Sequence, residues 1–160
     1  MKNKITTMMI ALIAIAVVIG NPGELKAQIP GMPSPELMEF YTEWAILYPM
    51  AAYIPALLVY NEMLYEGKKV TADECVKFDE AIGTIAGVMK KAWAGTKDAT
   101  IKTEMQLAAD AYINASKAYT DYHKTGKEEH RTTAEELLEG ADEHWEKVGK
   151  YIETKFGGEE

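Results

Sequence analysis

The sequence predicts an all-α protein: an antiparallel up-down-up-down four-helix bundle, built from a duplicated helical hairpin and preceded by an N-terminal signal segment. Three observations carry that reading. Apolar residues recur at alternating spacings of three and four along four stretches between residues 35 and 156, the pattern of a helix with one buried face. Glycines or capping residues punctuate the junctions. No stretch alternates with period two between hairpin turns. Helices of this length joined by short turns pack antiparallel, with a continuous core along the axis.

The first segment, residues 1–27, reads as a signal peptide. Lys2 and Lys4 give a positive start, Ile5 to Ile19 carries no charge, and Gly20-Asn21-Pro22-Gly23 breaks the apolar run. Ala27 supplies a small residue before the expected cut, with Gly20 as the alternative position. An uncleaved anchor is the competing reading, since so short an apolar run sits near the lower limit for crossing a bilayer. Either way the body is exported, to the periplasm or beyond. Residues 28–34, with Pro30, Gly31 and Pro33, form an extended lead-in that ends where Ser34 caps a helix and Pro35 occupies its first position.

The bundle then occupies residues 35–156. In its first helix Leu37, Phe40, Trp44, Leu47, Ala51, Ile54 and Leu58 form the inner seam, and Glu66-Gly67-Lys68 ends it. Trp44 to Tyr60 carries no charge. Its tyrosines, Pro49 and Pro55, and its place inside a heptad pattern fit a helix buried in a bundle better than one in lipid. Thr71-Ala72-Asp73-Glu74 is a capping box for the second helix, whose expected seam is Cys75, Phe78, Ile82, Ile85, Met89 and Ala92. Gly95 ends that helix. The third starts near Asp98, buries Ile101, Met105, Ala108, Tyr112, Ala115, Tyr119 and Tyr122, and stops at Gly126. The fourth carries Ala134, Leu137, Leu138, Ala141, His144, Trp145, Val148 and Ile152, and residues 157–160 form a disordered tail.

A shift of 59 residues lays Ala52-Tyr53-Ile54-Pro55-Ala56 over Ala111-Tyr112-Ile113-Asn114-Ala115 and continues without a gap. It pairs Tyr60 with Tyr119, Gly67-Lys68 with Gly126-Lys127, Ile82 with Ala141 and Met89 with Val148. The expectation is that helices one and two relate to three and four by a pseudo-twofold.

Composition excludes several function classes. The chain has 160 residues, 25 acidic against 17 basic, and a formal charge of −8. Loss of residues 1–27 removes three lysines and one glutamate, so the exported body carries 14 basic and 24 acidic residues, a charge of about −10. No basic stripe is available to follow a phosphate backbone, so no nucleic acid is expected as a partner. Contact with a membrane is expected only if the N-terminal segment stays uncleaved. The lone Cys75 leaves no internal disulfide, cysteine zinc site or haem-attachment motif. Neither a Gly-x-Ser-x-Gly elbow nor a phosphate loop is present, so no catalytic residues are assigned and the chain does not read as an enzyme.

Two places could bind something. Trp44, Trp93 and Trp145 are expected at one end of the bundle, joined by Met89, Met105 and Tyr151, and such an end can hold an apolar ligand. His144 would sit there, either as a ligand to a cofactor or hydrogen-bonded to a tyrosine hydroxyl. In outline the bundle resembles the soluble b-type cytochromes, whose axial ligands are a methionine near the start of helix one and a histidine near the end of helix four. That resemblance implies haem held by Met38 and His144. The match departs in register, since Met38 and His144 lie at different depths by more than ~10 Å at a rise of about 1.5 Å per residue. The candidate cofactor-binding residues are therefore His144, Met38, Trp44, Trp145 and Met105, with no resident metal expected. The second place is Gly83 and Gly87, four apart on helix two, which point to close approach by a partner helix or a second protomer. The function expected is a binding or structural role outside the cytoplasm, with a small-ligand or haem carrier as the alternative.

Overall fold

A computed structural model describes residues 35–156, with side chains from Leu47 to Lys155. The signal segment, the lead-in and the tail lie outside the described residues. Those described form α1 (Pro35–Glu66), α2 (Ala72–Trp93), α3 (Ala99–Thr125) and α4 (Glu128–Phe156), with no strand among them. None of the described helices is long and apolar enough to cross a membrane. The chain divides after Tyr48 into two compact units; the packing below is that of the second, Pro49–Glu159.

Each helix end has an identifiable cause. Past Glu66 the backbone closes a Schellman turn: the Lys68 amide donates to Tyr65 O at 2.9 Å and the Lys69 amide to Leu64 O at 3.0 Å. The left-handed residue of that turn is Lys68, with φ of 53°, rather than the neighbouring Gly67. The capping box forms as expected, the Thr71 amide donating to Glu74 Oε2 at 2.8 Å and the Glu74 amide to Thr71 Oγ1 at 3.3 Å. Asp98 caps α3 by accepting from the amides of Thr100 and Ile101. Its other carboxylate oxygen takes the Tyr151 hydroxyl at 2.9 Å and the Lys155 ammonium at 2.6 Å, so one side chain ties the start of α3 to the end of α4. Burial pushes the Asp98 carboxyl up, and the bonds from Lys155, Ile101 and Tyr151 outweigh it and hold it below the usual range. Gly126, at φ of 67°, ends α3 in the left-handed conformation that glycine adopts at least cost.

The α3 seam falls where the sequence puts it, with Ile101, Met105, Ala108, Tyr112, Ala115, Tyr119 and Tyr122 buried, and so does the part of the α1 seam that lies in this unit, Ala51, Ile54 and Leu58; Leu37, Phe40 and Trp44 precede the described side chains. On α2 the phase differs. Cys75, Ile82 and Met89 are buried, but their companions are Asp79, Ala86 and Trp93, while Phe78 and Ile85 are only half-buried and Ala92 is exposed. Both seams share every second residue; the observed one runs a residue further on and places the bulky Trp93 in the core. Full burial of each of Ile54, Leu58, Ile82 and Trp93 contributes roughly 1.5–3 kcal/mol.

Contacts between α2 and α3 advance along one helix as they retreat along the other. Asp79 faces His123, Gly83 faces Ser116, and the Lys90 ammonium pairs with Asp110. Gly83 lies close against α3, since a Cβ there would stand 3.3 Å from Ser116 Oγ. Gly87 has nothing within 4 Å of the same position. Replacing Gly83 by leucine should therefore lower stability by about 2 kcal/mol through overpacking. Gly87→Ala should leave stability unchanged or raise it by up to ~1 kcal/mol. Urea midpoints of the two variants check this; equal effects would mean that α3 does not press on Gly83.

Candidate functional site

The most unusual chemistry in the described chain is polar and fully buried. Asp79 stands on the core seam of α2, four residues after Cys75 and three before Ile82, and its side chain has no solvent exposure. Its Oδ1 accepts from Asn61 Nδ2 of α1 at 2.6 Å, and the same amide donates to Cys75 O at 3.2 Å. From α3, the Ser116 hydroxyl donates to the Asp79 carbonyl, and His123 brings Nε2 to 3.3 Å from Asp79 Oδ2. The His123 side chain is equally inaccessible. Neither of its ring nitrogens, nor Asp79 Oδ2, meets a partner at hydrogen-bonding angles. Tyr65 closes over the imidazole edge-on at 4.6 Å, and Tyr122 and Tyr119 flank it at 5.4 and 6.3 Å.

A second, wetter layer lies around Glu62. The Tyr119 hydroxyl donates to Glu62 Oε2 and Arg131 Nη1 of α4 donates to Oε1, both at 3.3 Å. Arg131 also reaches Glu128 at 2.8 Å and Glu66 at 3.7 Å. The two layers together join all four helices.

This arrangement holds a proton. An ionised carboxylate in an apolar interior costs several kcal/mol, so burial drives the Asp79 carboxyl from 3.8 up to about 7, with the Asn61 bond pulling the other way. Burial likewise lowers His123, whose charged form is the expensive one. Both shifts favour the uncharged forms, protonated Asp79 and neutral His123, and Asp79 gives up its proton as pH rises through about 7. The Cys75 thiol is buried and pushed up by that burial, the behaviour of a packing residue rather than a nucleophile. Among the described residues no group of three His, Cys, Asp or Glu side chains could hold a metal ion.

The residues proposed from sequence fall elsewhere. His144 Nδ1 lies 2.7 Å from Glu104 Oε2, so its partner is a carboxylate and not a tyrosine hydroxyl. Trp145 Nε1 donates to the Tyr112 hydroxyl at 3.0 Å, and Met105 is buried. Met38 and Trp44 sit on α1 before the described side chains. Asp79, His123 and Asn61 were the residues sequence reasoning missed. Their signal was a polar side chain standing on an apolar seam, four or three residues from Cys75, Tyr119 and Leu58. Comparison with protein-family models, with curated proteins and with solved structures gives no match.

The pair sets a sign for pH dependence. Asp79 is raised in the folded chain, so its contribution to stability is fully present below about pH 4 and is lost as pH rises to about 7. His123 is lowered, so its contribution is present above pH 6.5 and is lost as pH falls through its depressed value. The two oppose each other in mild acid, leaving a net loss as pH passes from 6.5 to 7. Asp79→Asn keeps an acceptor for Asn61 and removes the buried charge. It should be more stable than the parent by about 2 kcal/mol at pH 8, with the gap closing toward pH 4. Urea unfolding at both pH values checks this, and a gap independent of pH would rule out a protonated carboxyl.

Proposed function

We propose that the protein is an exported, acidic, up-down-up-down bundle built from a duplicated hairpin, which works outside the cytoplasm by binding and not by catalysis. The topology is supported by residue pairs that run in opposite directions along α2 and α3, and along α3 and α4, where Asp98 meets Lys155 and Tyr112 meets Trp145. Duplication is supported by the Ala-Tyr-Ile-x-Ala match and by buried positions that coincide at the same shift of 59: Cys75 with Ala134, Ile82 with Ala141, Met89 with Val148.

One observation carries the binding role. Tyr53, Tyr60 and Met63 are 66, 55 and 64% exposed on one face of α1, with exposed Ala56 between them. Residues 44–61 carry no charge at all. A contiguous apolar stripe on a protein otherwise rich in charge marks an interaction surface, and tyrosine and methionine are residues that interfaces favour. The test places benzoylphenylalanine at Tyr53 in the full chain, expressed in an exporting bacterial host, with Lys91 of α2 as the control site. The exported product should begin at Gln28 by intact mass, and irradiation should give one discrete adduct from position 53 and none from 91. A full-length cytoplasmic product would defeat the export assignment; absence of a discrete adduct would defeat the binding role.

A carrier of a small ligand or b-type haem through His144 is the second reading. It is favoured by the Glu104 carboxylate at His144 Nδ1, the kind of partner that orients a ligating imidazole. Haem added to the purified protein should then give a Soret band that His144→Ala removes, and a spectrum of free haem alone would discard this reading.

A further inference from the structure

We propose that the partner of the α1 stripe is a second copy of this chain, the two α1 helices crossing antiparallel about a twofold axis near Leu58. The inference rests on the binding role assigned above and names its partner. Tyr53, Ala56, Tyr60 and Met63 are spaced three, four and three apart, the seam of two helices in coiled-coil contact. The shift of 59 lays that stripe over Tyr112, Ala115, Tyr119 and Tyr122 of α3. Those four are buried, at 1, 0, 1 and 7% exposure, against helices of the same chain. There Trp145 bonds the Tyr112 hydroxyl and Glu62 accepts from Tyr119. The chain thus already contains the helix surfaces that cover this pattern. In α1 the buried face, Ala51, Ile54, Leu58 and Asn61, is turned two residues, about 160°, from the one in α3, so the matching stripe is left outside.

Charge selects the occupant. A basic partner would be drawn to the acidic stripe of Glu135, Glu139, Asp142 and Glu146 on α4, all exposed, and would find nothing on the α1 face to pair with. Two copies of an acidic body repel each other across most of their surface. They can meet across a face without charge, and Glu62, the nearest carboxylate, is turned inward to Arg131 and Tyr119. An antiparallel crossing centred on residue 58 sets Tyr53 against Met63 of the second copy and small Ala56 against Tyr60. The contact is therefore self-complementary, as a twofold interface requires.

The experiment uses the full chain purified after export. Light scattering at ~10 µM should give twice the chain mass, and benzoylphenylalanine at Tyr53 should join two copies, with the modified peptide containing Met63. Tyr60→Lys with Met63→Lys sets two charges of each copy against the apolar Ala56 and Tyr53 of the other and should raise the dissociation constant at least ~30-fold. The substituted side chains are solvent-exposed, so circular dichroism and the urea midpoint should be unchanged. A monomer mass at all concentrations, or a dimer indifferent to both lysines, overturns the proposal. A discrete Tyr53 adduct of another mass, or co-sedimentation with phosphatidylcholine vesicles in place of dimer formation, overturns it too while leaving a binding role intact. Loss of every adduct overturns both.

Discussion

The constraint on which the rest of the described bundle turns is the burial of Asp79. A carboxyl with no solvent exposure has to be neutralised, hydrogen-bonded or both, and it obtains this from helices distant in the sequence. Asn61 comes from α1 and His123 and Ser116 come from α3, so α2 can sit in only one register between them. A seam of leucines would tolerate a slip of one turn; a seam containing Asp79 does not, because a slip strands the carboxyl without its amide. Polar groups placed this way can confer a unique packing at some cost in stability. Gly83, one turn further along α2, brings Ser116 close enough to bond the Asp79 carbonyl.

Much of this was legible in the sequence and part of it was not, for definite reasons. The α3 seam could be read because its seven inner positions are all apolar or tyrosine, and the capping box at Thr71 because its two partners lie three residues apart. On α2 two seams compete, one through Phe78, Ile85 and Ala92 and one through Asp79, Ala86 and Trp93. Local hydrophobicity prefers the first. The second prevails because Asn61 and His123 make an aspartate tolerable in the interior, and that is a tertiary fact invisible in either helix alone. Likewise His144 advertises itself by standing among Ala141, Trp145 and Val148, whereas His123 hides at the end of a tyrosine-rich turn. The less conspicuous histidine is the more deeply buried.

The two ends of the bundle use charge differently. Near the α1–α2 turn, Glu62, Arg131 and Tyr119 form a partly exposed shell over the buried pair, so the costly groups are screened from water by groups that tolerate it. At the opposite end Glu104 with His144 and Asp98 with Lys155 join α3 to α4, and Lys90 with Asp110 joins α2 to α3. Since α1 contributes to the first end through Glu62 and Glu66, its C-terminal turns are fixed by polar contacts, while its tyrosine face is left to solvent.

Asp98 does two jobs with one carboxylate, capping α3 with one oxygen and holding Tyr151 and Lys155 with the other. Helix termini ordinarily fray independently. Here the first turn of α3 and the last turns of α4, more than fifty residues apart in sequence, share an anchor and therefore open and close together as one cooperative unit.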